Sequence, residues 1–242
     1  MVYLETYKLS KVYKKSNTRV EGIEDVSMLF EGGNICTLLG PNGSGKTTLI
    51  KTLCSEIQPD SGDIKYMGHS IFKNKKEIQH IKRKVGYAPE NPFLYSRLKG
   101  KEFLEFMACM YEVDLKKEKE ELNYLIKGFE MDKHMDKLIT DYSQGMVRKL
   151  SLIMALLFGK KVIIMDEPTN GLDPTSYLFL LEILKQYRQE KRCVLLSTHQ
   201  LDMAEELTDH LILVLDGHIV YDGKLTEKKN LRELYMENIS LA

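Results

Sequence analysis

Four stretches of this chain are apolar almost without interruption: NICTLL at 34–39, VIIMD at 162–166, CVLLST at 193–198 and LILVLD at 211–216. Runs this short, with no polar alternation, predict strands buried on both faces. Between them lie helical patterns, in KTTLIKTLCSE, SYLFLLEILKQYRQEK and QLDMAEEL. Strand alternating with helix predicts a parallel sheet with helices packed on both sides. The first thirty residues instead contain short alternating runs, as at Val26, Met28 and Phe30, which fit strands with one face exposed. Residues 91–158 carry almost no strand signal but several helical segments, KEFLEFMACMYEV, KKEKEELNYLIKGF and QGMVRKLSLIMALLFG. They predict a helical lobe inserted into an α/β core formed by 1–90 and 159–242. DG pairs at 216–217 and 222–223 bracket a hairpin strand, HIVYD, and the amphipathic segment LTEKKNLRELYMENI closes the chain.

Composition narrows the possibilities. A length of 242 residues suits one α/β domain with a smaller lobe. Lysine plus arginine and aspartate plus glutamate both number 35, so there is no basic excess of the kind generic nucleic-acid binding requires. No apolar run approaches the roughly 18 residues of a bilayer span, and MVYLETYKLSKVYKK lacks the apolar stretch of a secretory signal. The expectation is a cytosolic protein that meets a membrane only through a partner. Cys36, Cys54, Cys109 and Cys193 are far apart, each in an apolar segment, and read as small buried hydrophobes.

The chemistry concentrates in two places. Gly40-Pro41-Asn42-Gly43-Ser44-Gly45-Lys46-Thr47 fits G-x-x-x-x-G-K-S/T, after a buried strand and before a helix. Glycines let such a loop turn successive amides inward, and the free N–H groups of the helix start, with its dipole, favour an anion. Lys46 adds charge for β and γ phosphates, and the Thr47 hydroxyl can ligate Mg²⁺. The second place is VIIMDEP, where Asp166 and Glu167 end an apolar strand, the edge at which open α/β sheets bind ligands. Asp166 can hold Mg²⁺ through water, and Glu167 can polarise the water that attacks a γ-phosphate.

With these motifs, DYSQGM at 141–146, TNGLDP at 169–174 and STHQLDMAEEL at 197–207, the chain resembles the nucleotide-binding subunit of ATP-binding cassette (ABC) transporters almost end to end. The resemblance implies an α/β fold: a P-loop NTPase core with a mostly parallel sheet, an N-terminal antiparallel β subdomain and an inserted helical subdomain. It implies ATP and Mg²⁺ as ligands, with 40–48, Thr48 included, cradling the phosphates. Thr47, Asp166 and Glu90 would serve the metal, and Glu167 and His199 would be catalytic. Tyr13 matches the aromatic that stacks on adenine. Ser143, Gln144 and Gly145 occupy the signature that caps ATP held by a second copy or homologous ATPase subunit, and Asp173 lies in the loop between the two.

The resemblance further implies an integral membrane permease as partner, received near YAPENPFLYSRL with Phe93, Leu94 and Tyr95. That places the protein on the inner face of the membrane. No nucleic-acid partner is implied. Two departures stand out: Glu90 where the family usually has glutamine, and YSQGM in place of LSGGQ, a form resembling that of bacterial exporters. Met146 cannot donate the hydrogen bonds of the glutamine it replaces. Two rival readings use the same residues: a soluble cassette ATPase outside any transporter, and a nucleotide-sensing module with little hydrolysis. KNKKEIQHIKRK, residues 73–84, reads as a solvated helix face.

Overall fold

The computed structural model describes residues 1–15, 20–73, 75–225 and 231–240. The N-terminal alternation produces two long antiparallel strands, β1 (Val2–Lys15) and β2 (Val20–Glu31), and not the several short ones its interruptions suggest. The interruptions are register shifts within the pair, and Lys8 and Asp25 take positive φ of 44° and 53° near them. A fully buried strand follows, β3 (Ile35–Leu39), and then the glycine-rich turn and α1 (Lys46–Leu53). β4 (Ser61–Tyr66) and β5 (His69–Ser70) complete a four-stranded sheet in the order β2-β1-β4-β5. The lysine-rich segment forms α2 (Lys75–Lys82), with Asn74 outside the described residues.

β6 (Val85–Ala88) gives little sequence signal, being short and broken by Gly86. The glycine has a packing reason: a Cβ there would sit 1.9 Å from the carbonyl oxygen of Ala155, so a side chain would force the neighbouring helix off the sheet. The inserted region holds α3 (Gly100–Tyr111), α4 (Lys119–Gly128) and α5 (Gln144–Phe158). The core resumes with β7 (Val162–Asp166), α6 (Pro174–Gln189), β8 (Cys193–Thr198), α7 (Leu201–Leu207), β9 (His210–Leu215) and β10 (His218–Lys224). Asp216 and Gly217, both at positive φ, make the two-residue turn between the last two strands. The closing segment is helical as α8 (Leu231–Ser240), and its residues 226–230 lie outside the described ones.

The second sheet runs β10-β9-β3-β8-β7-β6, with only β10 antiparallel to its neighbour. Its strands read as continuous apolar runs because both faces are covered. Ile163, Met165, Val194 and Leu196 pack toward the helical lobe and α6, whereas Val162, Ile164, Cys193 and Leu195 pack toward α1 and the N-terminal sheet. One cysteine departs from expectation: Cys36, Cys54 and Cys193 are buried, but Cys109 is exposed on α3.

Candidate functional site

Sheet order dictates where the site forms. β3, β8 and β7 are consecutive neighbours and parallel, so their carboxyl ends share one edge. The glycine-rich turn leaves β3, Asp166 and Glu167 leave β7, and His199 leaves β8. The glycine-rich turn lies more than a hundred residues from the acids, and His199 a further 32 residues beyond Glu167; the sheet brings them together.

Gly45 caps α1 at φ 110°, a left-handed conformation, and a Cβ there would lie 2.3 Å from the carbonyl oxygen of Gly22 on β2. The turn is also braced from the hairpin, since the Gly217 N–H donates to Ser44 O at 2.9 Å. Lys46 is 6% exposed, and its Nζ donates to the carbonyl oxygens of Gly40 at 2.7 Å and Pro41 at 3.0 Å. Burial pushes this ammonium below its ordinary pKa, and the charges of Glu167, Asp166 and Glu90 oppose that shift without cancelling it. A buried cation held only by loop carbonyls is poised to take an anion.

Asp166 and Glu167 are 1% and 5% exposed. The Ser197 hydroxyl donates to Asp166 Oδ1 and accepts from the Glu167 N–H at 3.0 Å. His199, at the rim, places Nδ1 3.0 Å from Glu167 Oε1. The second oxygen of each acid, Asp166 Oδ2 and Glu167 Oε2, is buried without a hydrogen-bond partner. Orphaned buried carboxylate oxygens are rare and costly, and here they lie beside a cleft of about 470 Å³ lined by Tyr13, Asn42–Thr48, Glu90 and Glu167. Thr47, Glu90 and Asp166 line an adjoining cleft of about 320 Å³. A magnesium nucleotide fits this donor set: amides and Lys46 for phosphate oxygens, Thr47, Asp166 and Glu90 for a hard cation. Among the described residues no cluster of three His, Cys, Asp or Glu side chains could hold a metal, so phosphate oxygens would complete its shell.

Not all the expected residues meet there. Ser143 caps α5, accepting from the Met146 N–H at 3.2 Å, and is exposed. Gln144 lines a different cleft of about 400 Å³ with Glu90, Asn170 and Gly171. Asp173 caps α6 through the Ser176 N–H at 2.9 Å and pairs with Lys149 at 2.6 Å. Partial burial pushes its carboxyl up, but the Lys149 and Ser176 bonds prevail and bring it to about 2. Tyr13 is exposed, its ring facing Lys11 Nζ at 5.7 Å.

Two residues with a hold on the site escaped the sequence reading. Ser197 sits beside Asp166 in the β7–β8 register, so parallel pairing of VIIMD with CVLLST would have revealed it. Arg148 is a lone arginine on the buried face of α5, and that misfit in an apolar stripe is its only signal.

A family model described as ABC transporter matches residues 23–170. The ABC transporter ATP-binding protein NatA of Bacillus subtilis (strain 168) is 31% identical over 89% of this chain and 87% of its own length. A solved ATP binding subunit of an ABC transporter shares 28% identity, with a TM-score of 0.87 over 98% of this chain and 99% of that one. The dimeric bacterial ABC transporter cassette MJ0796, at 19% identity, shares the fold, with a TM-score of 0.81 over 92% of this chain and 99% of its own.

Proposed function

This chain belongs to the ABC transporter family, and from that premise we propose that it is the subunit that binds and hydrolyses ATP for a separate membrane-spanning permease. The carrying observation is the pair of unpartnered carboxylate oxygens beside the buried Lys46. Such an arrangement costs stability in the free protein and is relieved when a polyanion with its cation arrives.

The amides of 43–48 and Lys46 hold the β and γ phosphates, Lys46 exchanging loop carbonyls for phosphate oxygens, and the Tyr13 ring stacks on adenine. Thr47, Asp166 and Glu90 hold Mg²⁺, which supplies neutralisation of the charge that develops on the phosphates. Glu167 takes a proton from the attacking water through Oε2, while His199 holds Oε1 and so fixes the carboxylate plane. Glu90 lines the same cleft as Lys46 and Glu167.

Ser143, Gln144 and Gly145 act on the nucleotide of a second copy or a homologous subunit. Ser143 and Gln144 are exposed, Gly145 is half-buried, and none of the three lines the cleft of the cradle, which supports that reading; MJ0796 is a dimeric cassette. Asp173 lies at that junction. The permease docks beside the exposed Phe93 and Tyr95, and so keeps the protein on the cytoplasmic face of the membrane; no nucleic acid takes part. The YSQGM form favours export. The test is Glu167→Gln against Lys46→Ala. The first is expected to bind ATP, release no phosphate and accumulate as a dimer; the second is expected to lose binding. Phosphate release by Glu167→Gln at the parent rate would remove Glu167 from the reaction.

A further inference from the structure

Arg148 lies on α5, five residues beyond Ser143, and its guanidinium is buried. Among the described residues no carboxylate forms an ion pair with it. All its donors go to main-chain oxygens, five in number: Nε to Pro168 at 3.4 Å, Nη1 to Pro89 and to Glu90 at 3.1 Å, Nη2 to Glu167 and to Asp166 at 2.6 Å. A guanidinium has five N–H groups, so none is left over. The oxygens belong to the two loops that carry Glu90 and the Asp166–Glu167 pair.

Glu167 itself is strained. Its φ is 47°, a left-handed conformation that a residue with a Cβ holds only when its surroundings impose it. Three contacts hold its main chain: the N–H donates to Ser197 Oγ at 3.0 Å, and the carbonyl accepts from Arg148 and from the Asn170 N–H at 3.2 Å. The Asn170 contact is local to the loop; the two side-chain pins come from β8 in the core and from the signature helix.

We propose that Arg148 is a positioning residue for hydrolysis: it locks the left-handed peptide of Glu167, and so aims the carboxylate at the cleft, while tying α5 to the Glu90 loop. The signature helix and the general base then share one rigid connection. A movement of the helical lobe that loosens the fork releases the base, and one that tightens it sets the base in line. This rests on Glu167 acting in ATP hydrolysis, as proposed above.

Arg148→Lys keeps the charge but cannot span five oxygens. Single-turnover hydrolysis is expected to fall ~10- to 100-fold, the scale of an ångström-size misplacement of a catalytic group, with ATP affinity held within about threefold. A second readout needs no activity. In the nucleotide-free protein, the His199 imidazole resonance should move in Arg148→Lys toward its position in Glu167→Ala, because the contact with Glu167 Oε1 is lost. Arg148→Lys and Ser197→Ala, the two side-chain pins, should be non-additive in hydrolysis. An unmoved His199 resonance, or hydrolysis within twofold of the parent, overturns the proposal. So does a parallel loss of affinity, hydrolysis and melting temperature, which marks a residue that merely holds the fold. A parent protein with no ATPase would instead sink the function proposed above, and the His199 resonance would still decide the role of Arg148.

Discussion

Glu121 on α4 offers the most quantitative test of how the helical lobe is fastened to the core. Its Oε1 accepts from the Tyr187 hydroxyl at 2.6 Å and from Arg192 Nη2 at 3.0 Å, and Lys160 bonds Oε2. Tyr187 is 1% exposed, and the Arg192 guanidinium lies 3.6 Å over its ring while pairing also with Glu190 at 2.8 Å. Glu121→Ala strands the Tyr187 hydroxyl, at about 1–3 kcal/mol. It also removes one of the two carboxylate partners of Arg192; because Glu190 remains, the cost stays below the roughly 3–5 kcal/mol of a fully broken buried pair. The Lys160 contact is partly exposed and adds less than ~1 kcal/mol. The sum is about 3 kcal/mol, or ~6–12 °C in melting temperature for a chain of this size.

The same cluster predicts a pH dependence. Burial pushes the Glu121 carboxyl up, but the bonds from Lys160 and Tyr187 and the charges of Arg192 and Lys160 outweigh it, leaving the pKa below its ordinary 4.5. A depressed carboxyl contributes stability that is complete above the unfolded value and lost as pH falls through the folded one. Urea unfolding of parent and Glu121→Ala, followed by circular dichroism from pH 7 to pH 3.5, should show a gap that is constant above about 4.5 and narrows below it. A gap under ~0.5 kcal/mol at pH 7, or one that widens in acid, refutes the reasoning, since solvated surface pairs contribute no more than that.

Two further outcomes follow from local geometry. Gly45→Ala drives a Cβ to 2.3 Å from the Gly22 carbonyl oxygen at a φ that disfavours it, so the loop must shift. It should cost at least ~1–2 kcal/mol and weaken ATP binding by an order of magnitude or more; a parent-like isotherm in calorimetry contradicts this. Under native conditions iodoacetamide should label Cys109 alone. Burial raises the thiols of Cys36 and Cys54 well above their ordinary value and that of Cys193 to about 12, so a second adduct in the intact-mass spectrum counts against the packing described.

Most of the core was readable because its signals are local. VIIMD and CVLLST fold as β7 and β8 at the residues quoted, since a strand covered on both faces must be apolar throughout. The glycine-rich turn and the DE pair were equally legible: contiguous residues supply the donors and acids. What stayed hidden is made of single residues joined across the chain. β6 was missed because its defining residue, Gly86, is chosen by the backbone of α5 and not by strand propensity. The short alternating runs of the first thirty residues join into longer strands, β1 being 14 residues with register shifts near Lys8. Ser197 resembles any strand-end serine until the pairing sets it against Asp166.

The lobe shows the same limit in its sharpest form. α5 is readable as a helix from its 15 residues alone, and at 1.5 Å per residue it spans about 22 Å. Arg148 ties it near its first turn to the Asp166–Glu167 loop, and Lys160, just past its end, meets Glu121 of α4 and Glu118 just before that helix. Glu121 then reaches Arg192, 71 residues further along the chain. Sliding the helix along its axis would strand the buried Arg148, at several kcal/mol, whereas the half-exposed Lys160 contacts at the other end add less than ~1 kcal/mol. By the same comparison a rotation about the far end, which leaves the Lys160 contacts in place, costs less than sliding. That rotation displaces Arg148, and with it the carbonyl of Glu167, more than any residue near the pivot.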